Sequence, residues 1–190
     1  GSSASSIIKL NGTDYFTIEG SNSGGSDRSL TIENTNAAAT TASVWLASTG
    51  VGAGATYNTI KNCNIKTGSN TLATFGIFVG GATINTAGSD NDNNTIQNNA
   101  ISKAYYGIDV WGVSGSSSNN LNITGNTIGS NTATDYVLYY GIYISYTDNS
   151  TISQNEIFNM IQNGAKYGIY SGAGSSFKMY NKNKIHDFND

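Results

Sequence analysis

Proline is missing from these 190 residues, and arginine, histidine and cysteine occur once each, as Arg28, His186 and Cys63. Without proline, every backbone N–H is free to pair with a neighbouring strand, as a central strand requires. A single thiol closes no internal disulfide, so stability must come from packing and hydrogen bonds. Charge is scarce as well: charged residues make up 11% of the chain and the formal net charge is -3. Phosphate binding needs a basic footprint, so nucleic acid is not an expected partner. No apolar run approaches the roughly 20 residues of a membrane helix, so membrane insertion is not expected. The opening residues, Gly1-Ser2-Ser3-Ala4-Ser5-Ser6, hold neither an initiator Met nor a signal-peptide core. They read as a processed or excised end, which predicts one domain over residues 1–190 taken from a longer parent chain.

Glycine, serine, threonine and asparagine are abundant instead, a composition that disfavours helices. Within it a pattern returns. Asn58-Thr59-Ile60-Lys61-Asn62-Cys63-Asn64-Ile65 is followed by Asn94-Thr95-Ile96-Gln97-Asn98-Asn99-Ala100-Ile101. Shorter copies run Asn122-Ile123-Thr124-Gly125-Asn126-Thr127-Ile128 and Thr151-Ile152-Ser153-Gln154-Asn155-Glu156-Ile157. A degraded copy ends the series at Tyr180-Asn181-Lys182-Asn183-Lys184-Ile185. First apolar residues at 60, 96, 123, 152 and 180 give intervals of 36, 27, 29 and 28 residues. Between the copies lies a second motif: Phe75-Gly76-Ile77-Phe78-Val79, Tyr106-Gly107-Ile108-Asp109-Val110, Tyr140-Gly141-Ile142-Tyr143-Ile144 and Tyr167-Gly168-Ile169-Tyr170. Val44-Trp45-Leu46 takes the matching place one repeat earlier. Both motifs alternate apolar and polar residues, as half-buried strands do.

Two motifs held in phase at this period predict an all-β, single-stranded, right-handed parallel β-helix of about six to seven coils. Three inward ladders follow: Ile60/Ile96/Ile123/Ile152/Tyr180, Ile65/Ile101/Ile128/Ile157/Ile185 and Val44/Ile77/Ile108/Ile142/Ile169. The segments around Ile18 and Ile32 read as strands of the first coils. Variable spacing between motifs predicts surface loops at 80–92, 113–120 and 130–136.

On these motifs the chain resembles the parallel β-helix repeat proteins of the pectate-lyase-like superfamily, over nearly its whole length. The stretch from Asn11 to Thr35 is similar to the start of such arrays in large secreted bacterial proteins. That resemblance implies secretion or display at the cell surface. Similar arrays serve as adhesins, stalks, lyases and hydrolases, so fold alone selects no function.

Three constellations could carry chemistry. The first is a row at Asn99, Asn126, Asn155 and Asn183, preceded by Cys63, whose amides are expected to bond from coil to coil; Cys63 itself reads as a small buried hydrophobe. The second is the row Trp45, Phe78, Asp109, Tyr143 and Tyr170, expected to point outward as an exposed strip suited to stacking on sugar rings. By the same alternation Phe75, Tyr106, Tyr140 and Tyr167 are expected to face inward or lie at a corner. The third is catalytic: Asp109 is the one carboxylate on the strip, Arg28 lies far along the chain from it, and His186-Asp187 reads as a solvated pair. A β-helix lyase or hydrolase uses clustered carboxylates, and the strip offers one. Asp90-Asn91-Asp92-Asn93-Asn94 alternates oxygen ligands in the manner of a Ca²⁺ loop but lacks the glycine and glutamate of an EF-hand loop. The sequence thus favours a non-catalytic secreted or cell-surface module, a stalk or adhesin with no cofactor, binding a polysaccharide along Trp45–Tyr170. The alternative is a polysaccharide lyase or glycoside hydrolase acting on a polyuronide-type glycan.

Overall fold

A computed structural model describes residues 1–161 and 164–188. The chain winds into a parallel β-helix of six coils, each contributing one strand to each of three six-stranded parallel sheets. The long sheet runs through Ser6–Asn11, Thr41–Ala47, Thr74–Gly80, Ala104–Trp111, Val137–Ser145 and Tyr167–Ser171. A second sheet stacks Thr17–Glu19, Thr59–Lys61, Thr95–Gln97, Asn122–Thr124, Ser150–Ser153 and Phe177–Asn181. The third stacks Leu30–Glu33, Cys63–Lys66, Ala100–Ser102, Thr127–Ile128, Glu156–Phe158 and Lys184–His186.

Register follows the repeat. Ile18, Ile60, Ile96, Ile123, Ile152 and Tyr180 pair in succession across the second sheet. Ile32, Ile65, Ile101, Ile128, Ile157 and Ile185 do so across the third. On the long sheet the inner row is Ile8, Val44, Ile77, Ile108, Ile142 and Ile169. These ladders fuse into one buried core, with Val79, Val110 and Ile144 filling the interior beside them. In the last coil Tyr180 and Ile185 keep their register yet remain exposed. The opening strand Ser6–Asn11 carries no copy of either motif. Its Ile8-Lys9-Leu10 alternation is the only local sign of it.

Two corners explain the asparagines. Asn62, Asn98, Gly125, Gln154 and Lys182 take left-handed backbone conformations, with φ between 50° and 65°. Each stands directly before Cys63, Asn99, Asn126, Asn155 or Asn183. The turn therefore belongs to one residue and the buried amide to the next, rather than both to the same asparagine. The amides form a continuous chain. Asn126 Oδ1 accepts from the Asn99 backbone N–H at 3.0 Å and from Asn99 Nδ2 at 3.1 Å. Its own Nδ2 donates to the Ile96 carbonyl at 2.9 Å and to Asn155 Oδ1 at 3.0 Å. Asn155 repeats the pattern with Ile123 and Asn183. A second corner uses the same device: Tyr57, Asn93, Asn120 and Asn149 turn left-handed, and Asn58 and Asn94 follow with buried side chains bonded between coils. Left-handed residues turn the chain, and the next side chain replaces the strand hydrogen bonds lost there.

Replacing Asn126 with alanine strands the Asn99 N–H in a dry interior, at about 1–3 kcal/mol, and also removes the amide bonds to the Ile96 carbonyl and to Asn155. Urea denaturation of Asn126→Ala should therefore show a loss of several kcal/mol. Thr124→Ala, two residues away on the outer face, should change stability by less than about 0.5 kcal/mol. Equal effects from the two substitutions would contradict the ladder's role.

Candidate ligand-binding site

The outer face of the long sheet carries the aromatic row. Lys9, Trp45, Phe78, Asp109, Tyr143 and Tyr170 are successive register partners, one per coil. The structure thus brings together all five residues expected of the strip. It corrects their exposure. Trp45 is 3% exposed, Phe78 0% and Asp109 6%, whereas Tyr143 is half-buried and Tyr170 is 37% exposed. The cover is the segment 81–88, which leaves the end of the Thr74–Gly80 strand and folds back over the sheet. Ile84 from this loop packs with Trp45, Phe75 and Phe78 in a satellite apolar cluster. Lys9 closes the other side, its Nζ 3.7 Å from the Trp45 ring centre and donating to the Ala82 carbonyl at 3.3 Å.

A second correction concerns the row before the glycines. Phe75, Tyr106, Tyr140 and Tyr167 face outward and join the strip, with Phe75 and Phe78 ring centres 5.0 Å apart and Tyr140 and Tyr143 5.1 Å apart. Alternation breaks at the glycine. A Cβ at Gly107 would lie 2.5 Å from the Gly141 carbonyl oxygen and 2.9 Å from Ile128 Cγ2, and one at Gly141 would meet Ile157 Cγ2 at 2.7 Å. The glycine and the following isoleucine both face the interior, so the tyrosine before them is turned out. Only a residue without a side chain lets the sheet bend this close to the third sheet's isoleucines.

Two further tyrosines complete the surface. Tyr105 and Tyr139 stack at 5.2 Å beside Tyr106 and Tyr140, which themselves stack at 5.5 Å. The doublets Tyr105-Tyr106 and Tyr139-Tyr140 are visible in the sequence, although the motif alone singles out their second members. Tyr143 and Tyr170 stack at 5.6 Å with 11° between ring planes and carry the surface to the last coil.

Where the covering loop ends, a cleft of about 210 Å³ opens, lined by Tyr106, Asp109, Trp111, Tyr139, Tyr140 and Tyr143, with Asn85 from the loop at its rim. Asp109 is its one carboxylate among the described residues. Its Oδ1 is sealed from solvent and has no hydrogen-bond partner. Burial alone pushes the carboxyl up to about 8, since a charge in low dielectric without a partner is costly. Burial also raises the Tyr106 phenol to about 12 and the Tyr143 phenol above its ordinary value, with the Asp109 charge adding to both.

The other candidates are occupied structurally. Arg28 clamps three coils, donating to the Asn98 carbonyl and Asn98 Oδ1, each at 2.8 Å, and to Thr127 Oγ1 at 3.3 Å. Cys63 is fully buried, its thiol donates to the Lys61 carbonyl at 3.2 Å, and burial pushes it up to about 11, away from nucleophilic use. In the 90–94 loop, Asp90 accepts from Gly52 N–H at 2.7 Å, Asp92 from Asn119 N–H at 2.5 Å and Asn91 from Ala55 N–H at 2.9 Å. Those oxygens join coils. His186 sits between Asp187 Oδ2 at 2.6 Å and Glu156 Oε1 at 3.2 Å and stacks on Phe158, so it is tied into the last coil rather than freely solvated.

Because the folded carboxyl of Asp109 titrates well above its ordinary 3.8, the folded state holds the proton more tightly than the unfolded one. Asp109 therefore costs no stability below about pH 4, and the penalty grows by about 1.4 kcal/mol per unit as pH rises toward 8. Asp109→Asn should match the parent near pH 4 and exceed it by a few kcal/mol at about pH 8, read from paired denaturation curves. Curves that stay parallel across this range would contradict the burial of an unpartnered acid. No protein-family model, curated protein or solved structure matches the chain.

Proposed function

We propose that this chain is a non-catalytic secreted or cell-surface module of the pectate-lyase-like β-helix superfamily, which binds glycan along its tyrosine strip. The supporting observation is the uncovered half of the long sheet. Tyr106, Tyr140, Tyr143 and Tyr170 form one continuous, partly exposed surface beside a cleft that holds a buried polar group. Flat apolar rings stack on the C–H faces of a pyranose, and phenol hydroxyls at their rims bond its hydroxyls. Contiguous exposed apolar patches are found at interaction surfaces, and cross-strand stacking also stabilises the sheet that carries them. Trp45 and Phe78 belong to the same row but lie under the 81–88 loop, so they support the strip from below. Six coils at about 4.8 Å per strand spacing make a rigid rod roughly 30 Å long, which suits a spacer between neighbouring domains of a longer parent.

One observation favours an enzyme instead. A carboxyl held protonated near neutrality inside an aromatic cleft has the character of a general acid. Hydrolysis of a glycosidic bond needs a second carboxylate about 5–9.5 Å away. The described residues lining the cleft supply one. Binding is therefore preferred over turnover.

Titration calorimetry against a glycan panel tests this reading. Tyr143→Ala and Tyr170→Ala should each weaken binding by about tenfold, whereas Tyr15→Ala, exposed at a distant corner, should leave it unchanged. Release of oligosaccharide from pectin, alginate or glycosaminoglycan in the presence of Ca²⁺, abolished in Asp109→Ala, would overturn it in favour of a lyase or hydrolase.

A further inference from the structure

We infer that the cleft over Asp109 is a cage for an organic ammonium group, and that the glycan bound along the strip is an amino-sugar polymer with free amines. The second half rests on the glycan reading above; the first half stands on the cleft itself.

The argument begins with an unmet electrostatic demand. Asp109 is 6% exposed, and its Oδ1 has no donor. Among the described residues, those lining the cleft bring it no cation. The neighbouring strand Thr74–Gly80 presents Phe78, the strand Val137–Ser145 presents Tyr139, Tyr140 and Tyr143, its own strand presents Tyr106 and Trp111, and the loop presents Asn85. A cation entering the cleft would meet the Asp109 carboxyl group and several aromatic side chains at once. Both attract positive charge, the rings through their quadrupoles. An anion would meet the reverse. A uronate, phosphate or sulfate group would face a buried acid with no arginine or lysine among the described lining residues to hold it, so a polyuronide is the ligand that this cleft disfavours most. A hydroxyl could bond to the carboxyl but would draw nothing from the rings.

Size points the same way. About 210 Å³ is below the roughly 300–1,000 Å³ typical of pockets that enclose a whole small molecule. It accommodates a primary or methylated ammonium with its attached ring carbons. Tyr143 and Tyr170, stacked at 5.6 Å, continue from the cleft as a platform for the neighbouring sugar. Lys9 over Trp45 at 3.7 Å shows the same preference met within the chain, an exposed cation on an aromatic face at the edge of the same loop.

Cation binding should be linked to proton release. Burial pushes the Asp109 carboxyl up to about 8 and holds the phenols of Tyr106, Tyr140 and Tyr143 above their ordinary range. Affinity for a cation of fixed charge should therefore climb with pH, by up to about tenfold per unit, until the carboxyl is ionised near pH 8.

The test uses the full chain, titrated with tetramethylammonium, a glucosamine hexasaccharide, its fully N-acetylated counterpart and a neutral glucose hexasaccharide. The amine form should bind about tenfold or more tightly than the acetylated and neutral forms, tetramethylammonium should compete with it, and Asp109→Asn should erase the difference. That variant is expected to be at least as stable as the parent, and its circular dichroism confirms folding. Equal binding of the amine and acetylated forms would overturn the ammonium cage and leave glycan binding intact. Tetramethylammonium binding without any oligosaccharide would overturn the glycan half alone. No binding of any probe, or a tetramethylammonium affinity that is flat with pH, would overturn the cage.

Discussion

Six coils can stack in register only if the chain turns sharply at fixed points without burying unpaired backbone groups there. At the corner between the second and third sheets, coils two to five each place one residue in a left-handed conformation, and the next backbone N–H has a side chain of the following coil as its acceptor. The asparagine column at this corner supplies those acceptors. Each carboxamide carries an acceptor and a donor on one short arm, matched to the coil spacing, and Asn99, Asn126 and Asn155 use both. An ionised aspartate lacks the donor, and a leucine lacks both groups. The amide column thus locks each coil over the one beneath it, and the isoleucine ladders can then bury their faces without slipping.

The outer surface inherits this alignment. Because register partners lie one strand spacing apart, whatever occupies the outward position in one coil stacks on its counterpart in the next. Lys9, Trp45, Phe78, Asp109, Tyr143 and Tyr170 become a single column for that reason alone. In such a column a lone carboxylate has an aromatic neighbour on either side and no cation among the described residues lining its cleft. The bend at Gly107 and Gly141 then turns the preceding tyrosines outward to close the walls around it. The site is a product of stacking geometry interrupted at one position, with the 81–88 loop deciding how far along the column solvent can reach.

The coil period, the three inward ladders and the membership of the aromatic column are legible in the sequence because they repeat. The deviations are local, and each has a physical cause. Phe75, Tyr106, Tyr140 and Tyr167 could not be placed by simple alternation, since two consecutive residues face inward at every Gly-Ile pair. The burial of Trp45 and Phe78 depends on a segment outside the repeat, in which Ile84 is the only large apolar residue and offers no periodic signal. Lys9 was hidden for a related reason, because the first strand shows alternation but neither motif. Nothing in the spacing of Asp109 distinguishes a solvated carboxylate from a sealed one. That distinction came from the loop and the bend together.

The amide column can be interrogated directly through hydrogen exchange of side-chain carboxamides, followed by NMR in the native protein. If the column locks the coils, the Nδ2 hydrogens of Asn99, Asn126 and Asn155 will exchange only through global unfolding, as slowly as the backbone amides of Ile96 and Ile123. Exchange of those three at the rate of the exposed Asn22 side chain would mean that the corners open independently, and that the stacked register does not rest on them.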